Sequence, residues 1–349
     1  LTRWGLDHTL SVGATERQKE KRMARIVLGI GTSHTPMLNA PAEDWPHFID
    51  RDGVREFLDK EGRPATYEEL LGRAEPHIAG ELTPERFAAR HAEAQAGVDY
   101  LNSAVRRAEL DALIVVGDDH KELYRDDNLP GFVIYHGKTI RNVPLSGFSG
   151  PDWARRATAR YYEEREPRDY PVESRLARHL IAALVDREFD PVASDALPEG
   201  KGEGHAFAFV RKRLMEDPAL PVVPVLINTY FPPNQPTPRR CYKLGQAIRE
   251  AVESYPGDAR VGIVGSGGLS HFVVDEALDR GILDAIARRD GEALQSLPRH
   301  KLNSGSSEIR IWICVAGAVE HLDFAWSHYV PGYRTPAGSG TGLGFALWS

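Results

Sequence analysis

Three apolar runs in this chain end alike, in glycine, a short polar turn and a histidine. Arg25–Ile30 leads to His34 through GTSH, Ala112–Val116 to His120 through GDDH, and Val261–Val264 to His271 through GSGGLSH. Short uninterrupted runs rich in β-branched residues read as parallel strands buried on both faces. The glycines then close each strand in a turn. In an open α/β sheet, ligands bind beyond the C-terminal ends of the strands, so the pattern predicts three imidazoles on one functional edge. Glu308, in SGSSEIRIWICV, opens an apolar helix-like segment and is a fourth candidate.

Further strands are expected at Phe132–Tyr135 and Val222–Ile227. Amphipathic helices are expected at Trp153–Glu164, Val172–Asp186, Arg239–Tyr255, Glu276–Arg288 and Glu308–His321. Alternation of this kind predicts an α/β fold, a single three-layer domain with a central, mostly parallel sheet. A last strand is expected at Phe324–Val330, and PAGSGTGLGFALWS after it reads as a glycine-rich tail. Residues 42–107 differ: they are charged, and Thr66-Tyr67-Glu68-Glu69 resembles a capped helix start. We read them as a helical insertion, much longer than an ordinary crossover. It is a lid, an oligomer contact or simply a solvated helical pair.

The first 22 residues are polar, unpatterned and followed by Met23. They lack the apolar stretch of a secretory signal and are expected to be a disordered extension or one foreign to the native chain, with a single domain at 23–349. A formal charge of −7 argues against nucleic acid as the main partner. Two cysteines, Cys241 and Cys314, provide no disulfide framework and fit a reducing compartment. No apolar run approaches the roughly 18 residues of a membrane span. A cytoplasmic protein without membrane contact is expected, a homo-oligomer with a dimer favoured.

GIGTSHTP is not a dinucleotide loop, because His34 stands where the third glycine belongs and Pro36 spoils an immediate helix. His34, His120 and Glu308 are the residue types of a 2-His-1-carboxylate site, which leaves positions open on Fe(II) for a chelating substrate and oxygen. Taken singly, a histidine after a strand is more often structural, and there is no HExxH or CxxC spacing to assign a metal. Asp118 and Asp119 either orient His120 or form a solvated turn. His47, His77, His91, His179, His300 and His321 read as surface residues, Cys314 as a core thiol, and Cys241 lacks an activating partner. Ser270 beside His271 is no hydrolase pair, since there is no GxSxG elbow.

The blocks GIGTSHTPML, VVGDDHKELY, GHAFAFV, GSGGLSHFV and SGSSEIRIWI, in that order, resemble those of the class III extradiol ring-cleaving dioxygenases, the protocatechuate 4,5-dioxygenase type. The resemblance spans about Arg25 to Ser349 and is nearest the catalytic chains acting on protocatechuate, gallate and 3-O-methylgallate. It implies Fe(II) held by His34, His120 and Glu308, with His271 as the acid–base residue and His205 beside the substrate hydroxyl. His205 and His271 would then both touch a catecholic substrate that is opened with O₂. The 42–107 insertion and the GHAFAFV block depart from the family pattern and leave the substrate open. Arg125, Arg239, Arg310 and Arg334 are candidate partners for a substrate anion. Two other readings compete: a non-enzymatic metal-binding scaffold or signalling module of the same superfamily, and a His/His/Glu zinc hydrolase.

Overall fold

The first apolar run forms strand β1 (Arg25–Thr32). The computed structural model describes residues 23–349, so the expectation for residues 1–22 lies outside the described residues. In chain order there follow β2 (Phe57–Leu58), β3 (Pro64–Ala65), β4 (Ala112–Gly117), β5 (Phe132–Tyr135), β6 (Thr139–Asn142) and β7 (Arg168–Pro171). Then come β8 (Val192–Ser194), β9 (Val222–Ile227), β10 (Arg260–Ser266), β11 (His271–Val273), β12 (Phe324–Tyr333) and β13 (Ser339–Trp348). The main sheet has the order β11-β13-β1-β10-β4-β9-β5-β8, with β12 on the other side of β13. Its heart is parallel: β1 pairs with β10, β10 with β4, and β4 with β9. Antiparallel pairs join β13 to β1, β11 and β12, and β5 to β9.

The apolar runs follow from this topology. Successive side chains of a strand face opposite ways, and both faces here are covered. Ile114 and Val116 join Val223, Val225 and Ile263 in one core. Leu113 and Val115 join Leu28, Ile30 and Leu226 in the other. No position on β4 meets water, so none is polar.

The helices are α1 (Phe48–Asp52), α2 (Tyr67–Arg73), α3 (Pro84–Arg107), α4 (Asp152–Ala159), α5 (Ser174–Val185) and α6 (His205–Arg213). They continue with α7 (Pro238–Glu253), α8 (Glu276–Ala287), α9 (Gly291–Gln295) and α10 (Ile309–Ala318). One face of the sheet is covered by α5, α7 and α10. The other is covered by α3, through Val98, Leu101 and Val105, and by α6, through Phe207 and Phe209. The three-layer α/β expectation therefore holds. Within residues 42–107, Thr66 and Glu69 close a reciprocal capping box at the start of α2, as their spacing predicts. The segment is not helical throughout, because β2 and β3 form a small hairpin before α2. Among the described residues no helix is long and apolar enough to cross a membrane.

The C-terminal residues correct one expectation. The stretch read as a glycine-rich tail is β13, buried along all ten of its residues and paired on both sides. Glycine there serves close packing, not flexibility. A Cβ on Gly344 would lie 2.6 Å from the Leu269 side chain, and one on Gly342 would lie 1.9 Å from Asp279 Oδ2. Asp279, fully buried on α8, takes the Ser270 N–H at 2.7 Å, the Ser270 hydroxyl at 2.6 Å and the Tyr329 hydroxyl at 2.8 Å. It thereby ties the turn before His271 to the sheet. Gly342→Ala should cost about 1–3 kcal/mol, as overpacked interior sites do, and lower the urea midpoint of unfolding. An unchanged midpoint would mean that β13 does not pack on Asp279 in this way.

Candidate active site

The parallel order β1-β10-β4 sets three strand ends side by side, and the turn after each one carries a histidine. His34 follows β1 and His120 follows β4, while His271 opens β11 after the glycine turn of β10. The flanking layers supply the other two residues. His205 is the first residue of α6 on one face of the sheet, and Glu308 immediately precedes α10 on the other. All five residues line one cavity of about 260 Å³. Since about 150 Å³ suffices for benzene, a substituted aromatic ring fits.

Three imidazoles converge on the Glu308 carboxylate. His34 Nε2 lies 3.2 Å from Oε2, while His271 Nε2 and His120 Nε2 lie 3.0 Å and 3.3 Å from Oε1. The Gly268 N–H donates to Oε2 at 2.5 Å. Burial by itself would raise the Glu308 carboxyl, but the fields of His271 and His34, the approach of His120 and hydrogen bonding with His271 outweigh it and hold the group well below the usual range. His120 is driven the other way from its burial: desolvation would lower it, yet Asp118 and Glu308 push it well above the ordinary imidazole value.

Neighbouring groups fix which ring nitrogen faces inward. The parallel register pairs Thr32 with Ser266, which brings Ser266 Oγ to 3.1 Å from His34 Nδ1. The Ser266 hydroxyl donates its own hydrogen to the Ala206 carbonyl at 2.7 Å. Its oxygen must therefore accept from His34 Nδ1–H, which leaves Nε2 as the nitrogen turned toward Glu308. His271 Nδ1 faces the Leu269 carbonyl at 2.8 Å, and a carbonyl only accepts, so Nδ1 carries a hydrogen and Nε2 is the nitrogen turned to Glu308 and the cavity. The imidazole fits only beside glycine: a Cβ at Gly305 would stand 1.9 Å from His271 Cδ2. That contact explains the glycine in SGSSE.

The donor set fits a cation. His34 Nε2 and a carboxylate oxygen of Glu308 face each other across 3.2 Å. His120 Nε2 is buried and without a hydrogen-bond partner although carboxylate oxygens approach it, and Asp118 Oδ1 is likewise buried and unpartnered. Orphaned atoms of this kind are what a bound metal satisfies. Asp118, His120 and Glu308 offer ligand atoms within 4.8 Å of one another, and so do His34, Asp118 and His205.

Several expectations change at this point. Asp118 and Asp119 are buried, which excludes a solvated turn. Asp118 Oδ2 stands 2.9 Å from His120 Nε2, while Asp119 folds the loop by accepting the N–H groups of Glu122, Leu123 and Tyr124. Of the four arginines named from the sequence, only Arg334 lines the cavity. Arg310 is buried and donates to the carbonyls of Pro236, Thr229, Leu302 and Ser307, while Arg125 and Arg239 are exposed. The six histidines expected at the surface do not line it. Cys241 and Cys314 are core thiols, the former pushed up to about 12 by burial.

Sequence reasoning missed Glu122, Arg51, Arg55, Tyr161 and Tyr162, all on the cavity wall. Glu122 had one signal, an acid two residues after His120. Its Oε2 takes the His205 N–H at 3.0 Å and faces His205 Nδ1 at 2.8 Å. Desolvation would raise Glu122 and lower His205, but their mutual attraction prevails, holding Glu122 at about 2 and raising His205.

With this geometry in view, comparison with known proteins is direct. Residues 78–343 match the family described as the catalytic LigB subunit of aromatic ring-opening dioxygenase, and the chain belongs to that family. His120, His205, His271 and Glu308 lie within the matched region, and His34 lies before it. The gallate dioxygenase of Pseudomonas putida is 41% identical over 120 residues, 33% of this chain. The match covers 34% of that enzyme, so the chain spans about a third of the length of this curated relative.

The Glu122–His205 pair makes a testable contribution to stability. Glu122, depressed from 4.5 to about 2, stabilises the fold above pH 4.5 and ceases to as pH falls through about 2. His205, raised above 6.5, stabilises it below pH 6.5 and ceases to as pH rises through its folded value. In chelator-treated protein, Glu122→Gln should cost about 1–3 kcal/mol, most between pH 4.5 and 6.5. Urea unfolding at pH 5.5 and pH 9 checks this. An equal loss at both values would show that the pair is not ionic.

Proposed function

We propose that the chain is a non-haem Fe(II)-dependent extradiol dioxygenase that opens the ring of a catecholic aromatic related to protocatechuate, gallate or 3-O-methylgallate with O₂. What carries the reading is the convergence of imidazole nitrogens on the buried Glu308 carboxylate at the floor of a ring-sized cavity. Membership of the ring-opening family and the partial likeness to a gallate dioxygenase support it. His34, His120 and Glu308 would hold the iron, with Asp118 Oδ2 beside the same His120 nitrogen that faces Glu308. Bound there, iron supplies a Lewis acid and a template for the diol and for O₂.

The chain's own groups do the remaining work. His271 Nε2, its partner nitrogen engaged by the Leu269 carbonyl, takes a proton from a substrate hydroxyl and returns it as the ring opens. His205, whose charged form Glu122 favours, can offer its other N–H to a developing negative oxygen. Tyr161 donates its hydroxyl to the His34 carbonyl and steadies the turn that carries that ligand.

Replacing His34, His120 or Glu308 by alanine should each prevent stoichiometric retention of iron after anaerobic loading with Fe(II). Full iron content in any one of the three would remove that residue from the ligand set. His271→Phe should instead keep iron and lose turnover by about 10²–10⁴, the range for general acid–base groups. Metal content and O₂ uptake with a catechol, measured on one preparation, separate these roles. Near-normal turnover with full iron would reject His271 as the proton-transfer group.

A further inference from the structure

The cavity wall near Phe272, the residue after His271, is built largely by chain that precedes the family match. Arg51 on α1 and Arg55 just after it come from that segment, and Arg334 reaches the same cavity from the turn between β12 and β13. Arg334 is neutralised. It is buried, with Nε 2.6 Å and Nη2 3.1 Å from the two oxygens of Asp52, which also accepts the Ser339 hydroxyl at 2.6 Å. Arg51 must share the same acid, with its Nε 3.6 Å from Asp52 Oδ1. Arg55 has no carboxylate of its own among the described residues: its guanidinium carbon lies 3.3 Å over the Phe272 ring, beside the Tyr230 hydroxyl.

Three guanidiniums thus stand against one carboxylate. The two acids that line the cavity, Glu122 and Glu308, are engaged by histidines. Desolvation and mutual repulsion push Arg51 down to about 10 and lower Arg55 as well. Arg51 is exposed on one side and Arg55 partly so, so both stay charged, and with one carboxylate among three guanidiniums the wall presents free donors to an anion entering the cavity.

We infer that Arg51 and Arg55 form an anion subsite for a carboxylate on the aromatic ring, so that the segment before the family match selects among catechols. The inference rests on the ring-cleaving reading above. A guanidinium fork matches a carboxylate in two parallel hydrogen bonds. Because Phe272 adjoins His271 in the chain, an acid group held over it keeps the ring beside the proton-transferring imidazole.

Gallate against pyrogallol, and protocatechuate against catechol, are pairs that differ only by the carboxylate. In the iron-loaded protein, the acid of one pair should be preferred by about 10–100-fold in kcat/KM and in anaerobic affinity measured by calorimetry, the scale of one or two charge-assisted hydrogen bonds. Arg51→Gln with Arg55→Gln should collapse that ratio toward one, chiefly through KM of the acid. Arg55→Lys, which keeps the charge in a folded background, should retain part of it. Equal handling of acid and neutral compound by the wild type, or a ratio untouched by the double substitution, overturns the subsite while ring cleavage stands. Tight, arginine-dependent binding of the acids without O₂ uptake supports the subsite and rejects the ring-cleaving reading. If neither acid binds or turns over, both fall.

Discussion

One buried carboxylate organises this molecule. Glu308 is fully inaccessible, and an isolated charge there would be prohibitively costly. It is tolerated because His34, His120 and His271 face it from three adjacent strand ends and the Gly268 amide donates to it. The parallel register of β1, β10 and β4 makes that possible, since it sets the turns of three sequence-distant segments at one edge. A slip of one residue in any of these pairings would turn the side chains at that edge to the other face.

Around this centre, groups with no chemistry of their own decide what the imidazoles can do. Ser266 takes a hydrogen from His34 and passes its own to Ala206, fixing which nitrogen faces the carboxylate. The Leu269 carbonyl does the same for His271, and Asp279 anchors the turn on which both Leu269 and His271 sit. Glycines at 268 and 305 leave room for the ring. Supporting contacts of this kind orient an imidazole and tune its basicity.

The cavity divides its labour by origin. Its floor comes from the strand ends and the first residues of the flanking helices, which apart from β1 and His34 lie within the region matched to the ring-opening family. Its cationic wall is built by α1 and the loop after it, together with Arg334. Asp52 holds that wall together by taking both the Arg334 guanidinium and the Ser339 hydroxyl, which joins the early segment to the C-terminal hairpin.

The residues by themselves determined the layered α/β architecture and the histidines on one edge, because buried parallel strands demand unbroken apolar runs and glycine turns mark where they end. They also marked His34, His120, His205, His271 and Glu308 as candidates, through ordered blocks that survive as local sequence. What they did not determine depends on contacts between distant segments. Arg51 and Arg55 sit in a charged stretch with no periodic signal of a site, and only the folded chain sets Arg51 against Phe48 and Arg55 over Phe272 at the cavity. Glu122 becomes the partner of His205 across 83 positions of chain. The terminal glycines resemble a flexible tail until Leu269 and Asp279 are pressed against them and the tail becomes a buried strand. Local pattern carries backbone preference and burial. Which charge faces which is decided only when the sheet brings the segments together.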